Sequence, residues 1–271
     1  MPTLNAISPD KMARLLGIRT GPAIIDVRID AADLIPGSLI RPADRARDWA
    51  HAFKGDHAIV VCADGKERSS GIAAFLRTEG ALAEILEGGF EAWVARGFPT
   101  IPAAKLPTRD PAGRTIWVTR ARPKVDRIAC PWLVRRFIDP VAVFLFVSPA
   151  DVLGVAAEFG ATPFDVEGAE LSDQEGRCSF DAMLDAFGLA DSETLQRMAA
   201  IVRAADSGTP EAVPQAAGVL ALSLGLSRMH SDDLAQLEDG MILYDALYRW
   251  CRDAVEETHD VVSHAPRARR S

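Results

Sequence analysis

The 271-residue chain is poor in the features that mark several protein classes. Its four cysteines, Cys62, Cys130, Cys178 and Cys251, are widely scattered. Such scatter supports no disulfide framework, and free thiols in a reducing cytoplasm are expected. The five histidines, His51, His57, His230, His259 and His264, form no paired ligand motif, so no metal and no cofactor are assigned. No apolar run approaches the roughly 18 residues that cross a bilayer. The opening Met-Pro-Thr-Leu-Asn has no basic region followed by a hydrophobic stretch, so neither a signal peptide nor membrane contact is expected. A net charge of −8 argues against broad nucleic-acid binding, and no nucleic-acid partner is expected.

What is present fits a globular chain long enough for two domains, with 48% hydrophobic and 25% charged residues. The charge is uneven. Arg109, Arg114, Arg120, Arg122, Lys124, Arg127, Arg135 and Arg136 fall in one stretch opposed only by Asp110 and Asp126. A basic segment in an acidic chain attracts a small anion or an acidic partner; a solvated charge run is the plainer alternative.

Ser8 before Pro9 is a helix start, with the helix ending near Gly17. Short apolar runs at 23–27, 58–61 and 82–86 read as buried strands, and 69–79 and 90–96 as helices closed by Gly80 and Gly97. Strands alternating with helices predict an α/β fold with a parallel sheet over residues 1–101. Pro99, Pro102, Pro107 and Pro111 then predict an extended linker over 102–114. The second domain, 115–257, opens with strands at 115–119 and 143–147 around a helix at 131–138, and is mostly helical α+β beyond Cys178. Its last helix carries Leu234, Leu237, Met241, Tyr244, Tyr248, Cys251 and Val255 at alternating spacings of three and four. A packed core helix is the expected reading, with a homodimer through 234–255 as the alternative. Residues 258–271 read as a disordered polar tail.

Cys62 ends the apolar run Ala58-Ile59-Val60-Val61 and opens the loop Ala63-Asp64-Gly65-Lys66-Glu67-Arg68-Ser69 before a helix. Amides converging in such a loop, with the positive end of the following helix, stabilise a thiolate and any anion attached to it. The loop suits a persulfide, a thiosulfate-derived sulfur or a tetrahedral oxyanion. Cys62 is the candidate nucleophile, and Ala63 to Ser69 the candidate cradle, with Gly65 permitting the turn and Arg68 supplying charge. A small apolar residue ending a core strand is the plain alternative for Cys62.

Several motifs in order resemble the rhodanese family over residues 5–101. They are Ile25-Asp26-Val27-Arg28, Ile35-Pro36-Gly37-Ser38, the cysteine loop, and Leu86-Glu87-Gly88-Gly89-Phe90 with Trp93 and Gly97. The resemblance implies sulfur transfer from a small sulfane donor to a thiol acceptor through a Cys62 persulfide, with Arg28 as a candidate for orienting donor anions. One departure bears on this. Arg68 lies six positions after Cys62, a spacing similar to that of the phosphatase and arsenate-reductase relatives. Asp64 and Glu67 put carboxylates into the same loop and oppose a dianionic substrate, which favours persulfide chemistry.

Residues 115–257 resemble the C-terminal domain of ChrB-type chromate-resistance proteins. The carrying motifs are Trp117-Val118-Thr119-Arg120, Asp126-Arg127-Ile128-Ala129-Cys130-Pro131-Trp132-Leu133, Phe164-Asp165-Val166-Glu167, Arg177-Cys178-Ser179-Phe180-Asp181, Leu226-Ser227-Arg228 and the run from Tyr244 to Trp250. The resemblance implies a context of chromate stress. The DNA-binding half of the family's regulatory members is replaced here by the rhodanese-like part, and Ser172-Asp173 stands where family members tend to have histidine. Pro131 as a first helical residue would leave Cys130 at a positive helix end, behind Arg120, Arg122, Lys124 and Arg127. That predicts a reactive thiol or oxyanion contact, with chromate as a candidate ligand; a buried structural cysteine is the plain alternative. Cys178 and Asp181, at helical spacing, are a further candidate pair to join Asp126 and Cys130 around a cation. The reading is a cytoplasmic rhodanese-type sulfurtransferase linked to chromate resistance. Its rivals are a catalytically silent chromate or redox sensor and a cysteine-based phosphatase or oxyanion reductase.

Overall fold

A computed structural model describes residues 5–173 and 176–257. The expected tail at 258–271, with His259 and His264, lies outside the described residues. In chain order the first part contains β1 (Ala6–Ile7), α1 (Pro9–Ala13), β2 (Ala23–Asp26), β3 (Asp33–Leu34), β4 (Ser38–Ile40), α2 (Ala46–Trp49), β5 (His57–Val61), α3 (Glu67–Thr78), β6 (Leu82–Leu86), α4 (Gly89–Ala95) and β7 (Ile101–Pro102). The apolar runs become one sheet in the order β1-β6-β5-β2-β4, every pair parallel. β5 is central, with Ile59 registered between Ile24 and Glu84. The start of α1 follows from its capping: Ser8 Oγ accepts from the Lys11 amide at 3.4 Å, with Pro9 first in the helix.

Alternation along the strands divides the sheet into two faces. Ile25, Val60 and Ile85 pack with Phe53, Ile72 and Leu76 of the α2–α3 side. Ile24, Ile59 and Leu86 pack with Met12, Leu16 and Trp93, and this second core continues unbroken into Trp117, Trp132, Phe137, Tyr244 and Tyr248. The two parts therefore share a core. At their joint Gly17 has φ +69°, and a β-carbon there would stand 2.6 Å from Phe137 Cζ and 2.8 Å from Tyr248 Cε1. The Gly37 amide donates to Phe137 O at 2.6 Å.

The proline-rich segment is anchored rather than extended free. β7 pairs antiparallel with β3, Arg109 donates to Gly113 O at 2.7 Å, and Arg109 reaches the fully buried Asp139 at 3.1 Å. Asp139 also accepts from the Thr115 amide and hydroxyl at 2.7 and 2.8 Å.

The second part contains β8 (Ile116–Arg120), α5 (Asp126–Leu133), a π-helical turn (Val134–Ile138), β9 (Val143–Val147), α6 (Val152–Phe159), β10 (Thr162–Pro163), α7 (Ser179–Ala186), α8 (Glu193–Asp206), α9 (Ala216–Met229) and α10 (Asp233–Asp253). Its sheet has the parallel order β10-β8-β9, and the rest is mostly helical, so the chain as a whole is α/β as expected. The helix expected from Pro131 starts instead at Asp126, with Pro131 inside α5. Proline lacks the amide that would bond the Arg127 carbonyl, and the π turn that follows α5 is closed by the Asp139 amide donating to Val134 O. The apolar stripe of α10 is filled by its own chain: Leu237, Met241, Tyr244, Tyr248 and Cys251 are buried, while Leu234 and Val255 at its ends are exposed. The packed-core reading of that helix holds, and the stripe is spent within the chain. No helix among the described residues is long and apolar enough to cross a membrane.

Candidate functional site

The cysteine loop leaves the end of β5 and enters α3. Cys62 is 3% exposed, whereas Ala63, Lys66, Glu67 and Arg68 around it are exposed. The Cys62 thiol donates to Ser69 Oγ at 3.1 Å, and the Ser69 hydroxyl passes its own proton bond to Lys66 O at 3.1 Å. Asp64 Oδ1 lies 3.5 Å from the sulfur and accepts the Lys66 amide at 3.2 Å. Desolvation alone would raise the Asp64 carboxyl, but the bonds from the Lys66 amide, the Cys62 thiol and the Lys66 ammonium outweigh it and hold the group below its ordinary value. Lys66 Nζ stands 3.4 Å from Asp64. Arg68, second in α3, has no ion pair among the described residues.

The loop is closed against the turn before α4. The Phe90 amide donates to Cys62 O at 2.9 Å and the Glu91 amide to Ala63 O at 3.0 Å. Gly65, at φ +70°, permits this approach: a β-carbon there would stand 2.6 Å from Leu86 O. The structure thus brings Cys62 and residues 63–69 together, but it corrects the role expected of Arg28. Arg28 is clamped by Asp26, with Nε–Oδ1 at 3.0 Å and Nη2–Oδ2 at 2.7 Å. It also donates to Asp33 O at 2.6 Å and lies 3.5 Å over the Phe90 ring. A guanidinium so engaged braces the turn that supports the loop and is not free for a donor anion.

The basic segment of the second part is also corrected. Seven of its eight cations are ion-paired: Arg109 with Asp139, Arg114 with Asp110, Arg120 and Arg127 with Asp165, Arg122 with Asp233, Arg135 with Glu238 and Arg136 with Asp245. Lys124 is half-buried. Acidic residues, most of them from distant positions that sequence proximity could not reveal, hold these cations in ion pairs rather than leaving them as an open basic run. Cys130 is fully buried in mid-helix, not at a positive end. Burial pushes its thiol far up, with Asp126, Cys178 and Asp165 adding to the rise, which opposes a reactive thiolate. Cys178 caps α7, its amide donating to Asp181 Oδ2 at 3.1 Å, and Asp181 Oδ1 takes Arg203 at 2.5 Å. The proposed foursome of Asp126, Cys130, Cys178 and Asp181 is therefore not a cation cage.

A different grouping appears. Asp126, Asp173 and Asp206 each bring one carboxylate oxygen within 4.8 Å of the others. Burial raises the Asp126 carboxyl well above its ordinary value, with Asp165, Asp206 and Asp173 adding to it. Desolvation and Asp165 raise Asp206 as well. Asp206 escaped the sequence reading, and Asp173 entered it only as standing where family members tend to have histidine, because three aspartates on separate elements make no spacing motif.

The parallel sheet, its flanking helices and the cysteine loop define a rhodanese-like domain, and residues 8–96 match the family described as Rhodanese-like domain. Residues 117–251 match the family described as ChrB, C-terminal domain, so the chain joins a rhodanese-like domain to a ChrB C-terminal domain. Protein ChrB of Cupriavidus metallidurans is 39% identical over 162 residues, covering 56% of this chain and 46% of that protein, so this chain spans less than half of that relative. A rhodanese-like domain protein from Staphylococcus aureus is 31% identical, covering 33% of this chain and 91% of that one at a TM-score of 0.31. A thiosulfate sulfurtransferase from Pseudomonas aeruginosa is 23% identical, covering 36% and 19% of the two chains at a TM-score of 0.32.

Proposed function

We propose that the protein is a rhodanese-type sulfurtransferase acting in chromate resistance, with Cys62 carrying the sulfur. The Cys62 thiolate attacks the outer sulfur of a sulfane donor such as thiosulfate, sulfite leaves, and the resulting persulfide yields its terminal sulfur to a thiol or cyanide. The observation that carries this reading is the placement of Cys62 at a strand end, in hydrogen-bonding contact with Ser69 and enclosed by the loop that Gly65 folds against residues 86–89. Arg68, exposed and without an ion pair among the described residues, is the cation at the loop for the donor's sulfonate end. The chromate link rests on the ChrB C-terminal domain and its relative.

A silent, binding-only rhodanese fold is favoured by one observation, the near-complete burial of Cys62. Intact-mass analysis of the full chain after exposure to thiosulfate separates the two. One added sulfur, removed by cyanide and absent in Cys62→Ser, is expected. An unmodified wild type, or equal loading of Cys62→Ser, would reject the assignment.

A further inference from the structure

The aspartates of the ChrB C-terminal domain differ sharply in how they are neutralised. Asp165 takes both Arg120 and Arg127, at 2.7 and 2.9 Å, and Asp181 takes Arg203. Asp126, Asp173 and Asp206, beside them, form no ion pair among the described residues, and Arg120 and Arg127 act on them only at longer range. Asp126 is delivered by the first residue of α5 and Asp206 by the last residue of α8. Asp173 comes from the loop before α7, where its Oδ1 accepts the Ser179 amide at 3.0 Å and the Ser179 hydroxyl at 3.1 Å. Three separate elements thus converge through their carboxylates.

Asp126 is 1% exposed, and its Oδ2 receives no hydrogen bond. A buried carboxylate oxygen without a donor is costly, and such an atom in a native fold calls for a proton or an ion. A proton on Asp126 would bond it to Asp206 and relieve that pair, leaving Asp173 held only by Ser179. A divalent cation would neutralise two charges and ligate all three oxygens at once.

We infer that Asp126, Asp173 and Asp206 bind one hard divalent cation of the magnesium or manganese class. Oxygens about 2.1 Å from such an ion lie about 3 to 4.2 Å from one another, and the three ligand atoms all lie within 4.8 Å of one another. The donor set is entirely carboxylate, which suits a hard ion. Neither Cys130 nor Cys178 brings its sulfur into the group of converging ligand atoms, which disfavours a zinc–thiolate centre. Asp173 lies on the exposed side, leaving room for the waters that magnesium retains. The site is independent of the Cys62 chemistry.

The test is manganese titration of the full chain after stripping with a chelator, followed by the paramagnetic resonance of free Mn2+, with thermal unfolding in parallel. One saturable site per chain, displaced by excess Mg2+ and accompanied by a higher melting temperature, is expected. Asp206→Asn should weaken Mn2+ binding at least about tenfold and remove the thermal shift. Asp173→Asn, at the exposed ligand, should act in the same direction and keeps the test open if the Asp206 variant fails to fold. Absence of saturable binding by the wild type, or wild-type affinity in a folded variant of either aspartate, would overturn the site.

Discussion

Gly65 and Gly89 approach so closely that neither has room for a side chain. A β-carbon on Gly65 would stand 2.7 Å from the Gly89 nitrogen, and one on Gly89 would stand 2.5 Å from the Gly65 nitrogen. Both residues have positive φ, and the atoms met are backbone, which cannot swing aside.

Gly89→Ala should therefore destabilise the chain by about 2–4 kcal/mol, combining left-handed strain with overpacking. Sulfur loading of Cys62 should fall with it, because Cys62 O is held by the neighbouring Phe90 amide. Gly71→Ala, in mid-α3 with open space around the site, should instead stabilise by roughly 0.5–1 kcal/mol. Denaturant unfolding of both variants checks the contrast. Equal effects would show that the glycine pair does not close the loop.

Alkylation should discriminate among the thiols. Burial pushes Cys251 up to about 11, even against the lowering effect of Arg197, so its reactive thiolate is scarce at neutral pH and grows only as pH climbs toward that value. Cys130 and Cys178, raised further, should stay unlabelled while the chain is folded. Peptide mapping after iodoacetamide treatment at a series of pH values reads this directly. Labelling of Cys251 near neutrality as fast as in the unfolded chain would contradict it.

Asp139→Ala should cost about 3–5 kcal/mol, since it strands the Arg109 guanidinium and the Thr115 donors at a fully buried site. Calorimetric or denaturant unfolding measures the loss. A change below about 1 kcal/mol would mean that the segment from Arg109 to Thr115 is not anchored there.

Protease should cut the exposed stretch around residues 107–114, where Thr108, Pro111, Ala112 and Arg114 are accessible. The two pieces should nevertheless co-elute on native size exclusion, because the core that includes Met12, Leu16 and Trp93 also includes Phe137 and Tyr248. Fragments that separate without denaturant would refute the shared core.

The strands were readable from the sequence because each is a short apolar run bounded by turn residues, and 82–86 and 143–147 fall where expected. The cysteine loop was equally legible, since strand end, loop and helix start are contiguous. What escaped the reading depends on partners far away in the chain. Arg122 is held by Asp233, Ser227 O and His230 O, and Arg136 by Asp245, so a segment that looks basic is electrostatically satisfied. Pro131 was misplaced as a helix start because proline is favoured there, while the actual start at Asp126 follows Val125 at φ +42°, an unusual conformation for a β-branched residue. Tertiary contacts hold Val125 in place: its amide donates to Ser223 Oγ at 2.8 Å and its carbonyl accepts the Tyr244 hydroxyl at 2.7 Å.

The joint at Gly17 and Gly37 has a thermodynamic consequence. α4 touches both regions, for Phe90 at its start holds Cys62 O and Trp93 on its next turn lies in the common core. Two parts that share a core unfold together, so the chain should melt in one cooperative transition. By linkage, any donor, acceptor or cation that favours the native state of either part raises the melting point of the other, without a dedicated signal passing between them.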